Sequence, residues 1–143
     1  MGVIKIKDVM ITIKGIQRVD DEVNETEIIT EGTFEVTSDG YEIKYNESDA
    51  TGYDGSASLL RINGSRFQLE RTGAVTSELV IELGKKNFCH YGTPYGDMVV
   101  GVQAKFVKSH LTDMGGSAEV GYVLDVNAVL MGEYELWLEV KPK

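Results

Sequence analysis

A chain of 143 residues, 42% of them hydrophobic, has the length of one domain (residues 1–143) and can bury a core without a metal or disulfide staple. Its 23 acidic and 14 basic side chains give a formal charge of −9; that field repels phosphate backbones and anionic headgroups, so neither nucleic acid nor a membrane surface is an expected partner. One cysteine, Cys89, excludes an internal disulfide framework and a cysteine-rich zinc site, and fits a reducing compartment.

Residues 1–6 lead directly into strand-like sequence with no leader pattern, and no apolar run approaches the ~20 residues that span a bilayer, so a cytoplasmic location is expected. The first run, residues 4–16, changes phase: Ile4 and Ile6 share one parity, while Val9, Ile11 and Ile13 share the other. Such a slip predicts a bulge or bend within the strand. Asp20 to Glu25 reads as a polar connection. Phe34 and Val36 then point inward from the next strand, and Ser38-Asp39-Gly40 predicts a hairpin turn with positive φ angles. Tyr41, Ile43 and Tyr45 alternate with Glu42, Lys44 and Asn46. Beyond a Gly-rich loop around residues 52–55 come a strand over 57–62, a turn at Asn63-Gly64, and a return strand with Phe67 and Leu69 inward.

Gly73 interrupts before Leu79, Ile81 and Leu83, and a short strand spans residues 88–91. Met98, Val100, Val102, Ala104 and Phe106 form one long stripe, Gly115-Gly116 turns the chain, and Val120, Tyr122, Leu124 and Val126 run back. The last strand is the cleanest: Tyr134, Leu136, Leu138 and Val140 on one face, Glu133, Glu135, Glu139 and Lys141 on the other. These runs specify an all-β fold: a single antiparallel, meandering barrel of about 8–10 strands, since closure removes exposed edges.

Arg71-Thr72-Gly73, an alternating strand ending at Gly84, and then Tyr91-Gly92-Thr93-Pro94-Tyr95-Gly96 with a long strand resemble the YwiB-like family of small bacterial proteins. Gly32-x-Phe34, Tyr41-x-Ile43-x-Tyr45-x-Glu47 and Gly115-Gly116 also fit it, so the resemblance covers essentially the whole chain. It implies a calycin (lipocalin-like) barrel, a domain of unknown function and a bacterial cytoplasmic origin. It implies no activity or catalytic residues.

Candidate chemistry is sparse. Cys89 and His90 are neighbours on a strand and point to opposite faces, so they do not form a nucleophile–base pair. His90 and His110 lack metal-ligand spacing, and no metal site or cofactor is expected. His90 reads instead as a polar group in the barrel lumen. Arg71 shares parity with Phe67 and Leu69, placing a guanidinium at the end of an inward row; it forks onto carboxylates or carbonyls at the barrel mouth, or anchors an anionic ligand group. Tyr41, Tyr45, Tyr91, Tyr122 and Tyr134 lie on apolar rows or at strand ends, where a ring with a hydroxyl tip suits a half-wet cavity or a core. Trp137, outward between Glu135 and Glu139, is expected beneath the N-terminal segment or a loop.

The sequence therefore supports non-catalytic binding of a small apolar or amphipathic molecule in or at the mouth of the barrel, with Arg71, Tyr91, His90, Tyr41 and Tyr45 as ligand-binding candidates. The alternative is a solid barrel, filled by Phe34, Phe67, Phe106 and Leu124, that works as an interaction or assembly module through Trp137 and the strand edge near Ile4 and Ile6. An enzyme ranks third, because no catalytic residues are assembled. Oligomeric state is left open.

Overall fold

Short turns between strands that each keep one apolar parity leave a chain only one economical solution, a meander curled until its first strand meets its last. The computed structural model describes residues 5–47, 55–73, 76–93 and 96–143. Ten strands follow in order: β1 (Lys5–Val19), β2 (Glu22–Val36), β3 (Tyr41–Asn46), β4 (Ser56–Asn63), β5 (Arg66–Gly73), β6 (Ser77–Glu82), β7 (Lys86–Thr93), β8 (Gly96–Thr112), β9 (Gly115–Val126) and β10 (Val129–Pro142). The described residues contain no helix, and therefore none long and apolar enough to cross a membrane. All pairings are antiparallel, in the order β6-β5-β4-β3-β2-β1-β10-β9-β8-β7. The result is a nearly closed barrel with one seam, between β6 and β7.

Register stacks the inward side chains into layers. Tyr41, Ile62, Phe67 and Ile81 align across β3–β6, and Ile43, Leu60, Leu69 and Leu79 form the next layer. Across the barrel, Ile13, Leu138 and Ala118 align on β1, β10 and β9. Phe34, Phe67, Ile11, Ile43, Leu60 and Leu138 are among the fully buried side chains, so these layers are packed solid. Each such burial contributes about 1.5–3 kcal/mol, which makes the layers the main source of stability.

The seam is closed by side chains. Among the described residues β6 and β7 share no ladder, and two β7 side chains serve the backbone of Val80 on β6 instead. Cys89 Sγ accepts its N–H at 3.3 Å, and Asn87 Nδ2 donates to its carbonyl at 3.3 Å. Further along, Gly92 lies so close to β6 that a Cβ there would sit 2.0 Å from the Thr76 carbonyl oxygen.

Three sequence expectations are corrected. The phase change in β1 marks no bulge: its pairing with β2 runs without a shift from Lys5↔Val36 to Val19↔Glu22. Ile6 is simply outward, 65% exposed, and Ile4 lies outside the described residues. The register shifts fall instead between Ala104 and Phe106 and between Leu130 and Gly132. The first of these turns Phe106 out of the core, onto a bare patch of sheet at Gly121. β1 is also no edge, because it pairs with β2 and β10.

Turn chemistry differs from expectation as well. Gly40 has no positive φ; it is glycine because a Cβ would sit 2.1 Å from the Ile62 carbonyl. In the β9–β10 turn, Asn127 and Ala128 both take left-handed conformations, with φ of 53° and 67°. Such a conformation costs a Cβ-bearing residue roughly 1–2 kcal/mol, partly offset by glycine's greater freedom in the unfolded chain. Ala128→Gly is therefore expected to stabilise the protein by about 0.5–1 kcal/mol, seen as a higher urea midpoint at unchanged m. A lower midpoint would refute the strain argument.

Candidate functional site

The layer beyond the apolar pair is polar. Tyr45, Ser58, Arg71 and Ser77 align in register across β3, β4, β5 and β6, where the apolar layers would otherwise continue. Glu47, one residue beyond β3, completes the group: its N–H donates to the Ser56 carbonyl at 2.8 Å, and its side chain is only 1% exposed. Glu47 Oε1 accepts from Ser58 Oγ at 2.5 Å and faces Arg71 Nη2 at 3.4 Å. The Arg71 side chain is 12% exposed, so this ion pair sits largely out of water. Glu47 Oε2 is buried with no hydrogen-bond partner among the described residues. A buried carboxylate oxygen in that position is an acceptor with capacity to spare.

Burial raises the Tyr45 phenol far above its ordinary value of 10.0; the Glu47 charge adds to this, and Arg71 opposes it. Burial likewise raises the Cys89 thiol above its ordinary 9.0. Both groups therefore ionise at a higher pH in the fold than in the unfolded chain, which ionises near those ordinary values. Stability is thus unaffected by them below about pH 9 and falls as pH rises beyond it, because the unfolded state binds fewer protons. Denaturation midpoints between about pH 9 and 11 are expected to fall, and Tyr45→Phe to flatten the upper part of the slope; a parallel slope in that variant would exclude Tyr45 as a source.

On the outer face of the sheet behind this layer a cleft of about 450 Å³ opens, lined by Glu31, Lys44, Leu59, Glu70 and Thr72; Tyr45 and Ser58 border it, while register turns their side chains to the opposite, inner face. Glu70 is engaged by Arg61 at 2.6 Å and by Gln68 at 2.8 Å, and Glu31 by Lys143 at 2.9 Å. Lys44 forms no ion pair among the described residues and is the cation that faces the cleft unneutralised. Among the described residues no three His, Cys, Asp or Glu side chains stand together as a metal-binding group.

Comparison with known proteins places the chain. The model of the family described as "Domain of unknown function (DUF1934)" matches residues 11–138. The chain belongs to the DUF1934 family. The crystal structure of the ywiB protein from Bacillus subtilis is similar to the DUF1934 barrel described here, with a TM-score of 0.80 over 98% of this chain and 95% of that one, at 14% identity. At that identity the likeness is one of fold. No curated protein matches the chain.

The sequence candidates distribute unevenly over this DUF1934 barrel. Arg71 and Tyr45 meet in the polar layer. Tyr91, half-buried against the core on β7, lies toward the same end, since its neighbour Gly92 touches Thr76 beside Ser77. Tyr41 is two layers away and stacks on Phe34 at 5.4 Å, a core role. His90 is not in the lumen. It is exposed on the outer face, with Nε2 3.5 Å from Asp97 Oδ2, because β7 turns Cys89 inward and its neighbours outward. Trp137 is half-buried on the outer face, its ring 5.0 Å from Lys14 Nζ, in a groove shared with Ile16 and Phe106. Glu47 went unrecognised as a site residue although the sequence carries its signal: it shares parity with Tyr41, Ile43 and Tyr45, and a carboxylate in phase with a core row requires a buried cation.

Proposed function

We propose that this DUF1934 domain, a calycin-like barrel of the bacterial cytoplasm, binds a small amphipathic molecule without catalysis. The molecule sits at the barrel mouth and not in the lumen, which the apolar layers fill. One observation carries the reading: the inward rows at this end finish in a buried polar group, Glu47–Arg71–Tyr45–Ser58, whose Glu47 Oε2 has no hydrogen-bond partner among the described residues. The ligand's polar end engages this group, with Glu47 Oε2 as its acceptor. Native mass spectrometry of gently purified protein, against the denatured mass, tests this. A species of defined mass that is lost on denaturation and absent from Ser58→Ala supports the proposal, and a bare mass in the native spectrum refutes it.

The solid layers favour a second reading, a barrel acting through its surface, with Trp137 and its groove as one contact. A bare native mass would move the weight to it.

A further inference from the structure

The sheet β2-β1-β10-β9-β8 outruns its neighbours at one end. β3 pairs with β2 over residues 32–36 only, and β7 with β8 over residues 96–103 only. Among the described residues no strand pairs with 22–31 or with 104–112 on those sides, so each stretch presents unpaired backbone donors and acceptors along an open edge.

The two edges carry opposite charge. Residues 20–31 contain Asp20, Asp21, Glu22, Glu25, Glu27 and Glu31 and no lysine or arginine. Residues 104–112 contain Lys105, Lys108 and His110 and no carboxylate. The faces match as well. Register carries Glu27 across Lys14, Trp137 and Glu119 to Lys108, so these side chains share the outer face. Val23, Glu25 and Ile29 lie there on β2, and Phe106 and His110 on β8. Val23 and Ile29 are 57% and 66% exposed, more than an isolated edge needs. The charges are engaged inside the molecule only through exposed pairs: Lys14–Glu27 at 4.0 Å, Lys105–Glu133 at 3.4 Å and Lys143–Glu31 at 2.9 Å. Exposed pairs of this kind are worth about 0–1 kcal/mol and yield readily to new partners.

We infer that the acidic β2 edge of one copy pairs with the basic β8 edge of a second copy. Like edges repel, since β2 against β2 would set glutamates opposite glutamates and β8 against β8 would oppose lysines. Unlike edges attract, and joining them brings one of the two exposed β2 residues, Val23 or Ile29, which stand about 20 Å apart along the strand, toward Phe106. β2 and β8 are separated by four successive antiparallel pairings and run the same way, so a copy added with its outer face on the same side continues the sheet in parallel. The contact is heterologous, and growth ends in a ring or continues as a filament.

Sedimentation velocity at low ionic strength tests it, with Glu25→Lys/Glu27→Lys and Lys105→Glu/Lys108→Glu. Wild type is expected to shift with concentration to multiples of 15.8 kDa and to dissociate as salt is added. Each variant alone, one with residues 22–31 balanced between two glutamates and two lysines and the other with both edges acidic, is expected to stay monomeric. In an equimolar mixture the unaltered basic β8 edge of the first meets the unaltered acidic β2 edge of the second and assembly returns. If circular dichroism shows that either variant has lost strand structure, Glu27→Gln and Lys108→Gln replace it and are each expected to weaken assembly several-fold. A wild type that stays monomeric across the concentration range overturns the inference, as do variants that assemble alone like wild type or a mixture that does not assemble.

Discussion

Replacing Glu47 by alanine is expected to destabilise the protein by about 3–5 kcal/mol, the largest single effect outside the apolar layers. The loss is not the strength of the ion pair but the penalty of what remains. Arg71, with its side chain 12% exposed, would lose the buried carboxylate that Glu47 sets against it, and Ser58 Oγ would lose its acceptor. Arg71→Ala acts from the other side and strands a carboxylate whose side chain is 1% exposed. The joint replacement Glu47→Leu/Arg71→Met removes both charges and is expected to cost far less than either single change, or to stabilise. Urea denaturation of the three variants decides the matter; single variants within about 1 kcal/mol of wild type would show that water reaches the pair freely. The double variant also separates stability from binding, because it keeps the fold while removing the polar group proposed to hold a ligand.

Gly92→Ala is expected to cost about 3 kcal/mol and to lower the melting temperature by roughly 10 °C. The added Cβ would lie 2.0 Å from the Thr76 carbonyl oxygen and 3.0 Å from its carbon, and because both are backbone atoms no side-chain rotation relieves the clash. β7 must therefore move away from β6, and the Asn87 and Cys89 bridges to Val80 lengthen with it. Thiol labelling of Cys89, buried in the wild type, is expected to accelerate in the variant. An unchanged melting temperature and labelling rate would mean that the seam absorbs a methyl group without opening.

The strand pattern of the fold was legible because its cause is local. Alternation in residues 133–141 names the inward row of β10 correctly, with Leu138 and Val140 buried and Tyr134 and Leu136 packed against the core. Long-range facts left weaker traces. Phe106 keeps the parity of Met98 and Val102, yet one extra residue in β8 turns it outward, and only its adjacency to Val107 and the bare Gly121 opposite hint at this. The seam is invisible in sequence, since Asn87 and Cys89 serve Val80 through a splay between strands that alternation does not encode. The site was half legible. Arg71 ends an inward row and was singled out, but its partner was sought among carbonyls and carboxylates in general; pairing it with Glu47 requires the register of β3, β4 and β5. His90 lies outward because Cys89 beside it is buried, and a strand only a few residues long does not itself say which of the two faces the lumen.

The pairing of β1 with β10 also sets a timetable. Ile11 lies across from Val140 and Ile13 from Leu138, partners separated by almost the whole chain. Hairpins from β1 to β6 can form as they emerge from the ribosome, but the sheet they build carries the open side of β1 until the final strand arrives. Proteins dominated by such distant pairings fold in roughly milliseconds to seconds, and the waiting edge is aggregation-prone throughout. In β1 that edge runs through Lys14 and Arg18, whose charges oppose premature strand addition; Arg18 then pairs with Glu135 when β10 arrives.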